Sequence, residues 1–389
     1  MNSSIIEILT PRYELAWYPW AVQYFFLIAI SYSALLLSLP GTIGRGQLAQ
    51  RWQPMARLAL LIALSCTLVA PVALLADLHQ PMRFWHFYAN ATPTSWMSIG
   101  SILLPLYLFS VLGYVWLAWR PALQQARRGQ GFRAGIARIL SAGDWQVSKP
   151  LLTASAILAS FFAIGIMLYT GAEIAIIKAR PLWHTHWLPV MFVTTGMVAA
   201  AGLVLVLNRF MSLQRDGRKE INRQGLKVIV VAMLTSSVVA AAWLFSGLSG
   251  HSESVAAALE SVQANSDWRL SAIWALAAGI ILFVFAALAL KSRHQTTPLV
   301  QWTWLIGLLA LHVGWAFRWM VLMEVQTVAK NTAGYYQLVV ELGSYGLMGI
   351  IGTFGLWLAV LLLIDLFIPW QGQVQPPQRQ SIAAEAQHG

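Results

Sequence analysis

The sequence predicts an all-α fold, a polytopic membrane bundle of about nine transmembrane helices, and three observations carry that prediction. First, 58% of its 389 residues are hydrophobic and 10% are charged, whereas soluble globular domains usually carry about 25% charged residues. Second, nine stretches approach the roughly 20 apolar residues needed to cross a bilayer: 18–38, 56–76, 95–119, 150–171, 188–208, 226–247, 268–290, 299–322 and 346–367. Third, none of them alternates with the two-residue period of a barrel strand, and an open sheet edge has no partner for its backbone polar groups in hydrocarbon.

Taken in order, residues 1–17 form a leader with no cleavable signal, 18–368 the transmembrane domain, and 369–389 a Gln- and Pro-rich tail with the composition of a disordered segment. Several spans contain Gly, Ser and Thr, which let membrane helices approach closely. Two connectors carry helical patterns of their own. In 132–140, Phe132, Ile136, Ile139 and Leu140 share a face while Arg133 and Arg138 lie off it, the pattern of a short basic helix on a membrane surface. In the other, Ser252 is placed to cap a segment in which Val255, Leu259 and Val262 align and Glu253 and Glu260 stay wet.

The net charge of +11 suggests nucleic acid until its distribution is followed. Of the 25 Lys and Arg residues, 18 fall in alternate connectors and the tail, on one side of the bundle. The positive-inside rule then puts the N-terminus outside, in the periplasm, and the C-terminus in the cytoplasm. The basic balance therefore reports topology in a bacterial inner membrane and contact with anionic lipid, and no nucleic-acid partner is expected.

Chemistry gathers in Ala70–Pro105. Asp77, His79, Arg83 and His86 are interleaved there with Phe84, Trp85, Phe87, Tyr88 and Trp96. Such a mixture reads equally as an interfacial aromatic belt or as the mouth of a site for a ligand with a polar head and an apolar tail. A second cluster follows the fourth span, where Tyr169 and Glu173 share a helix face and Arg180 and Trp183 repeat the basic and aromatic pairing. A belt of snorkelling side chains is again the alternative. Helix one opens with Trp17 to Tyr24. The outer ends of the first four spans thus all carry hydrogen-bonding groups. That is what a quinol requires: a partner for each hydroxyl, a base for its protons, and a greasy cleft for its tail.

Other chemistries are disfavoured. Of the eight histidines only His312 lies within a span, whereas a b-type haem takes paired inward imidazoles; no haem is expected. Cys66 is the lone cysteine, and His184-x-His186 has no third convergent ligand in view, so no metal site is expected either. Arg318, His312 and Glu324 are too few for a proton path across the bilayer.

The block Ala76-Asp77-Leu-His-Gln-Pro-Met-Arg-Phe-Trp-His-Phe-Tyr88, with Pro93-Thr-Ser-Trp-Met97 and Tyr169-Thr-Gly…Arg180-Pro-Leu-Trp183, resembles the NrfD/PsrC family. Trp20 to Phe26, Val325-Gln-Thr-Val328 and Ile351 to Trp357 look like its tetrathionate reductase subgroup. These ordered blocks extend from residue 17 to 363. The resemblance implies a quinol-oxidising anchor of a periplasm-facing molybdopterin reductase, with menaquinol or another quinol as ligand. It implies iron–sulfur clusters and molybdopterin only in partners, a ferredoxin-like subunit and a catalytic subunit, and no haem. Tyr169 matches the family tyrosine that bonds the quinone head. Trp20 and Gln23 stand where the polysulfide branch presents Asn and His, so Asp77, His79 or Glu173 becomes the candidate base. Arg83 and Arg180 complete the expected binding set. The rivals are an anchor for polysulfide or thiosulfate reduction, a secondary transporter, and a purely structural anchor. No internal repeat of the transporter kind is found.

Overall fold

The computed structural model describes residues 15–211, 215–292, 301–328 and 338–371. The leader through residue 14, the tail beyond 371, His294 and His388 lie outside them. The described elements are α1 (Pro19–Thr42), α2 (Gly46–Asp77), α3 (His86–Ala89), α4 (Trp96–Ala126), α5 (Phe132–Leu140) and α6 (Lys149–Ala175). They continue with α7 (Leu188–Phe210), α8 (Arg215–Leu248), α9 (Glu253–Ala264), α10 (Ser266–Lys291), α11 (Thr303–Leu322) and α12 (Leu347–Phe367). Among the described residues nine helices, all but α3, α5 and α9, are long and apolar enough to cross a membrane.

These nine fall on the nine predicted stretches, with two instructive extensions. Helix α2 begins at Gly46 rather than near 56, and α8 at Arg215 rather than near 226. The added turns contain Gln, Arg and Lys, good helix formers that prolong a helix into water. Hydropathy registers only the part in hydrocarbon. Helix starts follow local chemistry. The hydroxyls of Ser148 and Ser252 accept from the N–H groups of Leu151 and Val255, and Asn265 Oδ1 accepts from Asp267 N–H at 2.9 Å, each satisfying a donor that a helix leaves unpaired. Pro19 and Pro189 occupy first turns, where a missing N–H costs nothing.

Helix α1 is buried nearly all round and packs against α2, α6, α7, α11 and α12. Helices α1, α2, α4 and α6 form one group and α7, α8, α10 and α11 a second, while α12 lies against α2 and α1. Small residues set the closest approach. A Cβ on Gly202 would lie 2.7 Å from Gly307 O, and one on Gly307 would lie 2.6 Å from Gly202 O, so the α7 and α11 backbones touch there. Arg318 is fully buried between the two groups. It donates to Phe25 O at 2.9 Å, Phe192 O at 3.0 Å and Gly314 O at 2.9 Å, tying α1, α7 and α11 together.

Both predicted connector helices form. In α9, Val255 is buried while Glu253 and Glu260 are exposed. In α5, Ala134 and Ala137 pack inward, whereas Phe132 is 70% and Ile139 79% exposed. Ile136 and Leu140 of the same face are half-buried, and the Phe132 ring meets Phe367 edge-on at 5.3 Å, so one edge of the apolar face is turned outward, as suits a helix at a lipid interface.

Candidate functional site

At the end of the bundle that holds the 78–95 connector, α1, α2, α4 and α6 enclose a cleft of about 460 Å³. Each wall is one helix face. Helix α1 supplies Ala21, Tyr24 and Phe25, with Trp17 just before it; α2 supplies Pro71, Leu74, Leu75 and Asp77. Helix α4 supplies Met97, Gly100, Ser101, Leu104, Pro105 and Leu108, at strict helical spacing, and α6 supplies Tyr169 and Glu173. The connector closes the mouth with His79, Phe84, Phe87 and Tyr88. Pro71 and Pro105, each lacking the N–H of a regular helical turn, face the space from two walls. The lining is apolar apart from a few polar tips, the usual make-up of a small-molecule site.

Tyr169 is only 8% exposed. Its ring stacks on Trp96 with centroids 6.2 Å apart, and Glu173 follows one turn on along the same helix face, lining the same cleft. Gly100 lies directly opposite. A Cβ there would collide with the Tyr169 ring and hydroxyl, so α4 reaches this close only because the residue is glycine.

Asp77 ends α2 and meets the start of α1. Its Oδ1 accepts from Tyr18 N–H at 2.9 Å, so the carboxylate supplies an acceptor, and a charge of the favourable sign, at a helix N-terminus. His79 Nε2 lies 3.3 Å from Tyr18 Oη, with ring centroids 5.1 Å apart. Among the described residues the ion pair is Arg127–Asp144, joining the end of α4 to the loop after α5, and no cation pairs with Asp77 or Glu173. The cleft is thus a place with two carboxyl groups, three phenols (Tyr24, Tyr88 and Tyr169) and an imidazole in apolar walls. It can hold a hydroxylated ring and accept its protons.

The other residues singled out in the sequence are not brought here. Gln23 is fully buried on another side of α1; its Nε2 donates to Ile350 O at 3.1 Å and its Oε1 accepts from Trp315 Nε1 at 2.9 Å. Trp20 packs against Gly349 of α12. Arg83 is exposed on the connector, outside the lining. Arg180 is buried and donates to Val325 O at 2.7 Å and Val328 O at 3.0 Å, fastening the connector after α6 to the segment after α11. Conversely, the sequence reading took in Tyr24 only within the Trp17 to Tyr24 opening and the start of α4 only within Ala70–Pro105, and singled out neither Tyr24 nor the α4 face as site residues. The spacing of Met97, Gly100, Ser101, Leu104 and Leu108 was a visible signal, but one shared by every apolar helix face. Among the described residues no three His, Cys, Asp or Glu side chains converge as metal ligands would.

Fold and cleft together define a multi-pass membrane protein with a ligand-sized site near one surface. The sequence profile of the family described as polysulphide reductase, NrfD, matches residues 9–330, and the chain belongs to that family. It is 34% identical over 366 residues to the C subunit of tetrathionate reductase from Salmonella typhimurium, covering 94% of this protein and 96% of that one. It is 25% identical over 305 residues to the C component of polysulfide reductase from Wolinella succinogenes, covering 77% and 93%. It is 24% identical over 208 residues to the C subunit of selenate reductase from Mesobacillus selenatarsenatis, covering 50% and 48%. The family resemblance read from the ordered blocks therefore holds, and the protein is a membrane subunit of the reductase type.

Proposed function

We propose that this protein anchors a molybdopterin respiratory reductase and oxidises membrane quinol in the cleft, passing electrons to a ferredoxin-like iron–sulfur partner and on to a catalytic subunit. The observation that carries this reading is the cleft itself, where Tyr169, two further phenols and two carboxyl groups stand in an apolar enclosure between four helices. Quinol is the substrate, menaquinol or another, and its oxidation yields electrons and protons. Tyr169 orients the ring by hydrogen bonding one oxygen. Glu173, beside Tyr169, accepts a proton as charge develops, and Asp77 with His79 forms the second acceptor group. Leu104, Leu108 and Phe109 hold the isoprenoid tail and exclude water.

Tetrathionate is the proposed terminal acceptor, on the strength of the full-length similarity to a tetrathionate reductase subunit. The cleft faces the periplasm of a bacterial inner membrane in this reading, because the opposite ends of the helices carry most of the basic residues. Deleting this subunit tests the proposal. Quinol-driven tetrathionate reduction by the complex should vanish while reduction driven by a soluble dye persists. Quinol-driven turnover in its absence would falsify it.

A further inference from the structure

A second pocket, of about 260 Å³, lies between α1, α7, α11 and α12. Phe26, Ile30, Trp315, Phe354 and Trp357 line it together with His312. The cleft uses Ala21, Tyr24 and Phe25 of α1, so this one helix is a wall of both spaces.

His312 is the polar feature of this pocket that the proposed function leaves unused. It is the tenth residue of α11, a helix of 20 residues, so it stands about 14 Å of rise from either end, near the membrane midplane. Trp274 Nε1 donates to His312 Nε2 at 2.9 Å. An indole N–H can only donate, so Nε2 is the acceptor and Nδ1 is the ring nitrogen left to donate. Among the described residues nothing accepts from Nδ1. The two indoles of the pocket are already committed, Trp315 to Gln23 Oε1 and Trp357 to Ser65 Oγ at 3.2 Å. His312 is exposed, so it stands at the edge where the pocket opens to the surroundings of the bundle. The pocket therefore offers aromatic walls and, at that edge, one spare donor at a depth where water does not supply an acceptor and an unmet donor is costly.

We propose that this pocket is a second quinone site, which holds the oxidised, carbonyl form at the midplane. The inference rests on the quinol reading of the cleft. A quinone carbonyl gives His312 Nδ1 an acceptor and brings no proton of its own. A quinol adds hydroxyl protons for which the pocket has no acceptor, whereas the cleft has carboxyl groups for them. Phospholipid headgroups lie at the interface, well above this level, and an acyl tail alone leaves Nδ1 unmet. The two sites have opposite hydrogen-bonding character, acceptors for the reduced form and a donor for the oxidised one.

The test uses the assembled complex in nanodiscs of phosphatidylethanolamine and phosphatidylglycerol, loaded with an azido-substituted quinone in its oxidised form. After illumination, labelled peptides are mapped by mass spectrometry, and labelling at 311–315 and 354–357 is expressed relative to labelling at 84–88 in the same sample. Both regions should label in the unmodified complex. His312→Phe should lower the pocket-to-cleft ratio by roughly 2- to 12-fold, the loss of one neutral hydrogen bond. Phe354→Trp, which narrows the pocket without removing the imidazole, should lower the same ratio and carries the test if His312→Phe does not assemble. Label confined to the cleft, an unchanged ratio in an assembled variant, or labelling of the pocket only by an azido-acyl phospholipid would overturn the second site while leaving the cleft standing. An unlabelled cleft in a complex that also fails to oxidise quinol would instead remove the quinol reading, and this inference with it.

Discussion

The Tyr169 hydroxyl stands in the cleft with the Glu173 carboxyl one turn along its own helix and Gly100 directly across from it, so its contribution can be isolated by one oxygen atom. Tyr169→Phe keeps the ring that stacks on Trp96 and removes only that atom. Losing a hydrogen bond to a neutral group costs about 0.5–1.5 kcal/mol, and up to about 3 kcal/mol if the partner becomes charged. Quinol oxidation by the assembled complex is therefore expected to fall roughly 3- to 100-fold, with dye-driven turnover unchanged. Full quinol oxidation in this variant would leave the aromatic-belt reading in place. Asp77→Asn poses a different question. The amide keeps the carboxyl's shape and an oxygen for Tyr18 N–H, but cannot take up a proton near neutral pH. It should depress kcat more than it raises KM; a change in KM alone would make Asp77 a structural cap of α1 and nothing more.

At the scale of elements, the bundle depends on contacts that a lipid solvent does not enforce. Apolar side chains gain nothing by leaving lipid for a protein interior, so close backbone approach and polar ties take over. Gly202 and Gly307 supply the first between α7 and α11, and Arg318 supplies the second among α1, α7 and α11. Gly307→Val is expected to push α11 off α7, because the nearest atom, Gly202 O, is backbone and cannot swing aside. Overpacking of this kind costs typically about 1–3 kcal/mol, read as a lower melting temperature and a lower yield of assembled complex. Retention of wild-type stability would mean that the two helices separate freely there. The same physics explains α5, whose exposed Phe132 and Ile139 look unsatisfied only if the surrounding solvent is taken to be water.

For the whole molecule, the strongest constraint is the asymmetry of charge between the two ends. Nine spans that each cross once would carry the two ends of the sequence to opposite sides, and the positive-inside expectation read from the sequence assigns 18 of the 25 basic residues to the side away from the cleft connectors. A reporter fused after Gln371 should be active in the cytoplasm, and one inserted between Ser252 and Gln263 should report the periplasm. The reverse pattern would move the quinol cleft to the cytoplasmic face and undo the proposed docking of periplasmic partners.

Much of this was legible in the linear sequence. Hydrocarbon thickness sets span length, so the nine stretches, their order and the bundle class could be read from apolar runs alone. Rise along a helix is regular, so the sequence also determined that Asp77, Tyr169 and Glu173 stand at one level near one surface. The capped segment at Ser252 and the amphipathic stretch at 132–140 were readable because those pieces meet water on one side. Tertiary structure alone decided azimuth. In a soluble helix the buried face is the apolar one, but here lipid, core and cleft are all lined by apolar side chains, so hydrophobic periodicity carries no directional signal. Gln23 and Tyr24 are neighbours in sequence, and nothing in their order says that Tyr24 looks into the cleft while Gln23 turns toward Ile350 and Trp315. Only packing α1 against its five neighbouring helices divides its surface in that way.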